Sequence, residues 1–292
     1  MSASTSFPAT IRTRDGLNLV TQLWPLSNTP QPAKGVAVIV HGLGEHIGRY
    51  AHVAHYLNQQ GWHALGYDHR GHGRSPGGKG ALAHNDDFLH DLASVIDAAR
   101  AAYPGQRLIL IGHSLGGVIA GRFVSALATP KESADWSRPV DGLVLSSPAL
   151  AVPISALQRG LLATIGQLTP DVALGNGLKP EWVCHNPATV KAYMADPLVH
   201  DRITGRLTMF ILAAGDNVRA RAPQWAVPTL IIWGGQDRCV KPEGSAEFAA
   251  KAPRTMVSSQ PFPSLAHEIF NEVEQDDVLK AVGDWLGRVF AG

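Results

Sequence analysis

The stretch Ile109-Leu110-Ile111-Gly112-His113-Ser114-Leu115-Gly116-Gly117 sets the strongest constraint on what this 292-residue chain can fold into. An apolar run suited to a strand buried on both faces ends on Gly-x-Ser-x-Gly and passes at once into a helix-forming segment, 115–128. So abrupt a turn strains the backbone of the central serine, and the positions two before and two after it must be small. Both are glycine. The helix that follows directs unpaired N–H groups at the serine hydroxyl, where they can hold an oxyanion.

The rest of the chain repeats this alternation. Segments 7–14 and 17–24 read as strands joined by Asp15-Gly16, a hairpin signal. Segments 36–40, 62–67, 108–111, 140–145, 228–233 and 255–259 read as further strands. Helical spacing of apolar residues marks 48–60, 86–103, 115–128 and 272–290. Strands alternating with helices imply an α/β domain with a mostly parallel, doubly wound sheet. One segment breaks the rhythm. From about 150 to 223 no strand-like run occurs, only the helix-like pieces 155–168, 187–195 and 202–219. The expected organisation is a core from 1–150 and 224–292, with a helical cap, 151–223, inserted after the sixth strand. In doubly wound sheets ligands bind at the carboxyl ends of the strands, and a cap placed there covers the site.

A serine hydroxyl needs a base, and the base an orienting acid. In this architecture they follow the serine in the order acid, then histidine. Of 13 histidines, only His185, His200 and His267 come after Ser114. The first two fall in the cap, whereas His267 lies in the loop after the last expected strand. Asp237 follows the strand 228–233 in a glycine-containing loop and is the expected acid. Asp196 and Asp216 fall in the cap, and Asp276 and Asp277 open the last helix, where the dipole favours them. The second oxyanion amide should come from the loop His41-Gly42-Leu43-Gly44, making Leu43 and Leu115 the expected pair.

Composition narrows the function classes. Lys plus Arg number 25 and Asp plus Glu 24, a net charge of +1, which offers no electrostatic footprint for nucleic acid. Two cysteines, Cys184 and Cys239, make no disulfide scaffold and suit a reducing compartment. Cys239, two residues beyond Asp237, stands either at the border of the site or as an inert half-buried thiol. Residues 1–14 show no leader pattern, and no run approaches the ~18 apolar residues of a membrane span. The expected location is the cytoplasm. Gly42-x-Gly44 lacks the spacing of a dinucleotide loop, and Asn271 stands where a zinc site after His267-Glu268 would need histidine. Asp68, His69 and His72 read as hydrogen-bonded residues of a tight loop. No metal or organic cofactor is expected.

The chain resembles the monoacylglycerol lipase and lysophospholipase-like α/β-hydrolases. The matching segments are His41-Gly42-Leu43-Gly44-Glu45-His46-Ile47-Gly48-Arg49-Tyr50, Asp68-His69-Arg70-Gly71-His72-Gly73-Arg74-Ser75, Gly112-His113-Ser114-Leu115-Gly116-Gly117 and Asp196-Pro197-Leu198-Val199, with Asp237 and His267. The resemblance implies an α/β-hydrolase fold and hydrolysis of lipid-like esters through an acyl-enzyme. It also implies that Glu45 and Arg49 line a polar pocket for a glycerol head. The family often carries a second histidine three residues after the first; this chain has Phe270. The cap between 151 and 178 holds only Arg159 and Asp171 as charges. Its Leu157, Leu161 and Ile165 are expected to line an acyl pocket, and its surface to make weak contact with a membrane. An aminopeptidase of the same fold and a slowly hydrolysing ligand receptor are the alternatives.

Overall fold

The computed structural model describes residues 7–26, 32–128, 134–154, 160 and 169–291. Its centre is an eight-stranded sheet built from β1 (Thr10–Arg12), β2 (Asn18–Trp24), β3 (Gly35–Val40), β4 (Trp62–Tyr67), β5 (Leu108–His113), β6 (Gly142–Ser146), β9 (Thr229–Gly234) and β10 (Val257–Phe262). The order across the sheet is β1-β2-β4-β3-β5-β6-β9-β10. The β1–β2 hairpin and the β2–β4 pair are antiparallel and every other pair is parallel.

The two-residue period of a strand explains how one apolar run serves two cores. Val36, Val38 and Val40 of β3, with Leu108 and Leu110 of β5, face one layer. There they meet helices α2 (Asp87–Ala102) and α3 (Leu115–Ser125) through Phe88, Leu92, Ile96, Val118 and Phe123. Ala37, Ile39, Ile109 and Ile111 face the other layer. They meet Val53 and Leu57 of α1 (Ala51–Gln59) and, near the C-terminus, Val278, Val282, Trp285 and Leu286 of the closing helix. Each fully buried Leu or Ile contributes about 1.5–3 kcal/mol, so the two faces together supply most of the driving force.

The segment between β6 and β9 departs from the expected all-helical cap. It contains two short strands, β7 (Ala173–Gly175) and β8 (Arg202–Thr204), paired antiparallel as a separate ribbon. It also contains α4 (Pro187–Ala195), whose bounds match the sequence pattern. Residues 202–204, expected to start a helix, are β8. The helix that follows, α5 (Gly205–Arg221), runs along α3, where the absence of a side chain at Gly121 lets Val218 approach. Leu207, Phe210 and Val218 place α5 in the same apolar layer as α3. A helix missed in the sequence, α6 (Pro242–Lys251), crosses from β9 to β10, and α7 (Gln275–Val289) closes the chain.

The segment reaches back over the carboxyl ends of the strands by backbone contacts. The His200 amide donates to the Gly44 carbonyl at 2.8 Å, the Thr204 amide to Gly80 at 2.9 Å and the Glu268 amide to Val183 at 2.7 Å. Gly44 has φ +75, and a side chain there would overlap the His200 carbonyl, so docking at this point demands glycine.

Candidate active site

Ser114 sits between β5 and α3 with φ 53 and ψ −116, a conformation that costs a non-glycine residue of order 1–3 kcal/mol. The neighbours hold it there. The Ser114 amide donates to the Ser146 carbonyl of β6 at 3.0 Å, and its own carbonyl accepts from Ala149 and Val118. Any side chain at Gly112 would meet the Gly116 carbonyl, and one at Gly116 would overlap the carbonyls of Val40 and His41. Both glycines are therefore required by close approach, as the motif predicts.

His267 and Asp237 arrive from the loops after β10 and β9. His267 Nδ1 donates to Asp237 Oδ2 at 2.6 Å, and the Ser114 hydroxyl donates to His267 Nε2 at 2.8 Å. The other Asp237 oxygen accepts from the amides of Cys239 (2.8 Å) and Val240 (3.0 Å), which fixes the carboxylate plane. His267 is buried, and Ser114 keeps partial access to solvent. Burial alone would lower the His267 pKa. The Asp237 carboxylate, with Glu268 and Glu45 behind it, outweighs burial and raises the pKa above its ordinary value. His113 packs against His267 with ring centroids 4.8 Å apart. Burial, then the neighbouring His267 ring, pushes His113 down to about 3, so it stays neutral beside the base.

The loop after β3 lies against the serine: a Cβ on Gly42 would be 3.3 Å from Ser114 Cβ. The Gly42 amide is taken, donating to Glu45 Oε1 at 2.6 Å. Among the described residues, no hydrogen-bond acceptor engages the amides of Leu43 or Leu115.

Glu45 and Arg49, expected to line a polar pocket for a glycerol head, lie close to the site with their side chains engaged by internal partners. Glu45 is buried and accepts from Gly42, from the Tyr50 hydroxyl at 2.6 Å and from Arg49 at 2.6 Å. Arg49 also grips Glu268 with two hydrogen bonds, at 2.7 and 2.6 Å. Both side chains are thus committed to internal partners. Phe270 is buried in the core against the α1 layer, and its carbonyl accepts from His52. Leu157, Leu161 and Ile165 lie outside the described residues. Cys239 does border the site, as one of two alternatives held. Its thiol, buried, and the Asp237 carboxylate and His267 ring present ligand-type atoms within 4.8 Å of one another. Burial and the Asp237 charge push the thiol well above its ordinary pKa.

Three residues escaped the sequence reading. His113 was seen only as the variable position of the motif. Glu268 stood out only as part of a zinc pattern that fails. Glu272 is a buried carboxylate that accepts from the amides of Ala266 (2.8 Å) and His185 (3.0 Å), pinning the His267 loop to the cap.

Residues 31–274 match the family model described as Hydrolase_4, serine aminopeptidase S33. A monoacylglycerol lipase of Mycolicibacterium smegmatis is 32% identical over 93% of this chain and 93% of its own length. The monoglyceride lipase of Homo sapiens is 30% identical over 89% of this chain and 86% of its own. The crystal structure of the monoacylglycerol lipase of Paleococcus ferrophilus superposes with a TM-score of 0.79 at 32% identity, covering 93% of this chain and 99% of that one.

Proposed function

The chain belongs to the Hydrolase_4, serine aminopeptidase S33, family of α/β-hydrolases, and from that premise we propose that it hydrolyses carboxylic esters of apolar acyl chains, of the monoacylglycerol or lysophospholipid-like class, with Ser114 as nucleophile. The observation that carries the reading is the unbroken hydrogen-bond chain Asp237–His267–Ser114, at 2.6 and 2.8 Å. In this mechanism Ser114 attacks the ester carbonyl as His267 Nε2 takes its proton. Asp237 holds Nδ1 and stabilises the imidazolium, which then protonates the leaving alcohol. Water repeats the sequence to release the acid. The free amides of Leu43 and Leu115 stabilise the oxyanion, each donor worth roughly 3 kcal/mol in comparable sites.

The acyl side is assigned to the cap. Residues 149–152 and 154, with Ile211 and Leu212 and the charged Asp216, Arg219 and Lys241, line a cavity of about 260 Å³, which starts from the loop whose Ala149 amide bonds the Ser114 carbonyl. The names of the relatives, monoacylglycerol and monoglyceride lipases, support the lipid ester class. Peptide hydrolysis from a free N-terminus needs an uncommitted carboxylate for the amine. The nearest candidates, Glu45 and Glu268, are both committed to Arg49. Exposed Val172, Leu174 and Met194 on the cap support weak contact with a lipid surface. No helix among the described residues is long and apolar enough to cross a membrane. The two cysteines, both free, support a cytoplasmic location.

The test is a fluorophosphonate label with a chain-length series of p-nitrophenyl esters and monoacylglycerols. Ser114→Ala should lose the label and at least a thousandfold in activity. Each buried methylene contributes up to ~0.8 kcal/mol, so octanoyl over butanoyl esters should gain about 10–100-fold in kcat/KM after incomplete burial is discounted. Activity of Ser114→Ala within tenfold of wild type, or a steep preference for acetyl esters, overturns the reading.

A further inference from the structure

We propose that Glu268 is a positioning residue that couples the cap and the oxyanion loop to His267, acting through Arg49; the inference rests on the ester-hydrolase reading. Three buried charged groups meet beside the catalytic loop. Arg49 Nη1 donates to Glu45 Oε2 at 2.6 Å and to Glu268 Oε1 at 2.7 Å, and Nη2 donates to Glu268 Oε2 at 2.6 Å. The side chains of Glu45, Arg49 and Glu268 are 4%, 11% and 6% exposed. Two carboxylates against one guanidinium leave one negative charge in a desolvated place. Such a buried cluster is weak evidence for stability, because an apolar packing of equal volume does as well or better. Its value must lie in what it orients.

Each end of the cluster touches a working part. The Glu45 oxygen not held by Arg49 takes the Gly42 amide, fixing the loop that presents the Leu43 amide. The Glu268 backbone follows His267 directly, and its amide bonds the Val183 carbonyl of the cap at 2.7 Å. Asn271 donates a further bond to Glu268 Oε2 at 2.9 Å. The Arg49 guanidinium lies 4.9 Å over the Tyr193 ring of α4. A shift of the cap must therefore pull on Glu268 and Arg49, and through them on the histidine and the oxyanion loop together. The negative charge also favours the imidazolium that His267 becomes in the transition state. The groups facing His267 are Asp237 and Cys239 from the loop after β9, Glu268 on its own loop, Glu45 and Arg49 from the loop and turn after β3, and His113 from β5. Asp237 is the largest of the charges that raise it, and Glu268 the next.

The experiment is the pH profile of kcat/KM per fluorophosphonate-titrated active site, on a soluble p-nitrophenyl ester, for wild type, Glu268→Gln, Glu268→Asp and Glu45→Gln. Glu268→Gln keeps the shape and removes the charge. Its acid limb should move down by about half a pH unit or more, and its plateau should fall about tenfold with KM little changed. Glu268→Asp, which keeps the charge, should restore the acid limb to the wild-type position. Glu45→Gln, one carboxylate further away, should move the limb in the same direction by less, and reports independently if Glu268→Gln fails to fold. An acid limb unmoved in the folded charge-removed variants overturns the coupling. Because the rates count only Ser114-dependent sites, that result would leave the ester-hydrolase reading standing. Activity that persists in Ser114→Ala would remove the reading itself.

Discussion

Acidification should destabilise this fold steeply below pH 6.5, and the cause is a cluster of neutral histidines beside the site. His41, His69 and His72 lie after β3 and β4 with ring centroids 4.1, 5.6 and 5.9 Å apart, and the tilted His200 ring of the cap lies 4.7 Å from His72. The bonds fix neutral rings. His41 Nδ1 donates to the Gly42 carbonyl and Nε2 accepts from the His69 amide at 2.9 Å, so a second proton on His41 would face a donor. Burial holds His41, His69 and His72 well below the ordinary histidine value, and His113 at about 3. The unfolded chain binds these protons as pH falls through 6.5 and the folded chain does not. Stability present above 6.5 is thus lost below it, by about 1.4 kcal/mol per pH unit for each histidine. For His41, His69, His72 and His113 the loss at pH 5.5 is about 5 kcal/mol. Two groups oppose it. Asp91, buried against Arg70, is raised to about 6, so the folded state takes up its proton first and regains about 1 kcal/mol at pH 5.5. His267, raised rather than lowered, works in the same restoring direction. A net loss of about 4 kcal/mol is a large part of the 5–15 kcal/mol typical of a native protein. The assay is urea unfolding at pH 7.5 and 5.5 with the m-value monitored. A loss below 1 kcal/mol at constant m would refute the argument, since it would mean the buried rings protonate in place.

Two further perturbations follow from the site. Gly116→Ala places a methyl group on the Val40 and His41 carbonyls; it should destabilise by about 1–3 kcal/mol and, by displacing the oxyanion loop, lower kcat more than it raises KM, as urea unfolding and ester kinetics on the same sample will show. Maleimide should inactivate slowly, because the Cys239 thiol is buried and its pKa is raised, and Cys239→Ala should abolish the inactivation; rapid inactivation, or sensitivity that survives the substitution, contradicts this placement.

What was legible in the sequence was whatever a local pattern must encode. The strands of the sheet centre are buried on both faces, so they appear as unbroken apolar runs, and all six residues of β3, β5 and β9 are buried. Ser114 announces itself because its turn excludes side chains at 112 and 116. His267 and Asp237 follow from chain order and from their places after strands. The ribbon β7–β8 left no such trace. Ala173, Leu174 and Gly175 are all exposed, and their pairing to 202–204, like the docking of Thr204 on Gly80, is carried by backbone atoms common to any sequence. Helix α6 buries only Gly244, Ser245 and Phe248, too little apolar spacing to stand out.

The roles of Glu45 and Arg49 show the sharper limit. Four residues apart, on a loop that leads into a short helical turn, they could face a ligand or each other, and spacing does not choose. What decides is Glu268, 219 residues further on from Arg49. Its carboxylate takes up the guanidinium that a substrate hydroxyl would otherwise meet. With Phe270 buried three residues after His267, the described residues leave the alcohol side with few uncommitted polar groups, while the acyl side that we propose lies by a cavity lined by Leu150, Val152, Ile211 and Leu212 together with the charged Asp216, Arg219 and Lys241. On that proposal the site should discriminate by the length of the acid. It gains little from the identity of the alcohol, because a hydroxyl pays for its desolvation only where an unengaged partner awaits it. Glycerol and simple alkyl esters of one acyl chain should therefore differ by less than about tenfold in kcat/KM. A hundredfold preference for the glycerol ester would mean that Arg49 exchanges Glu268 for substrate during turnover.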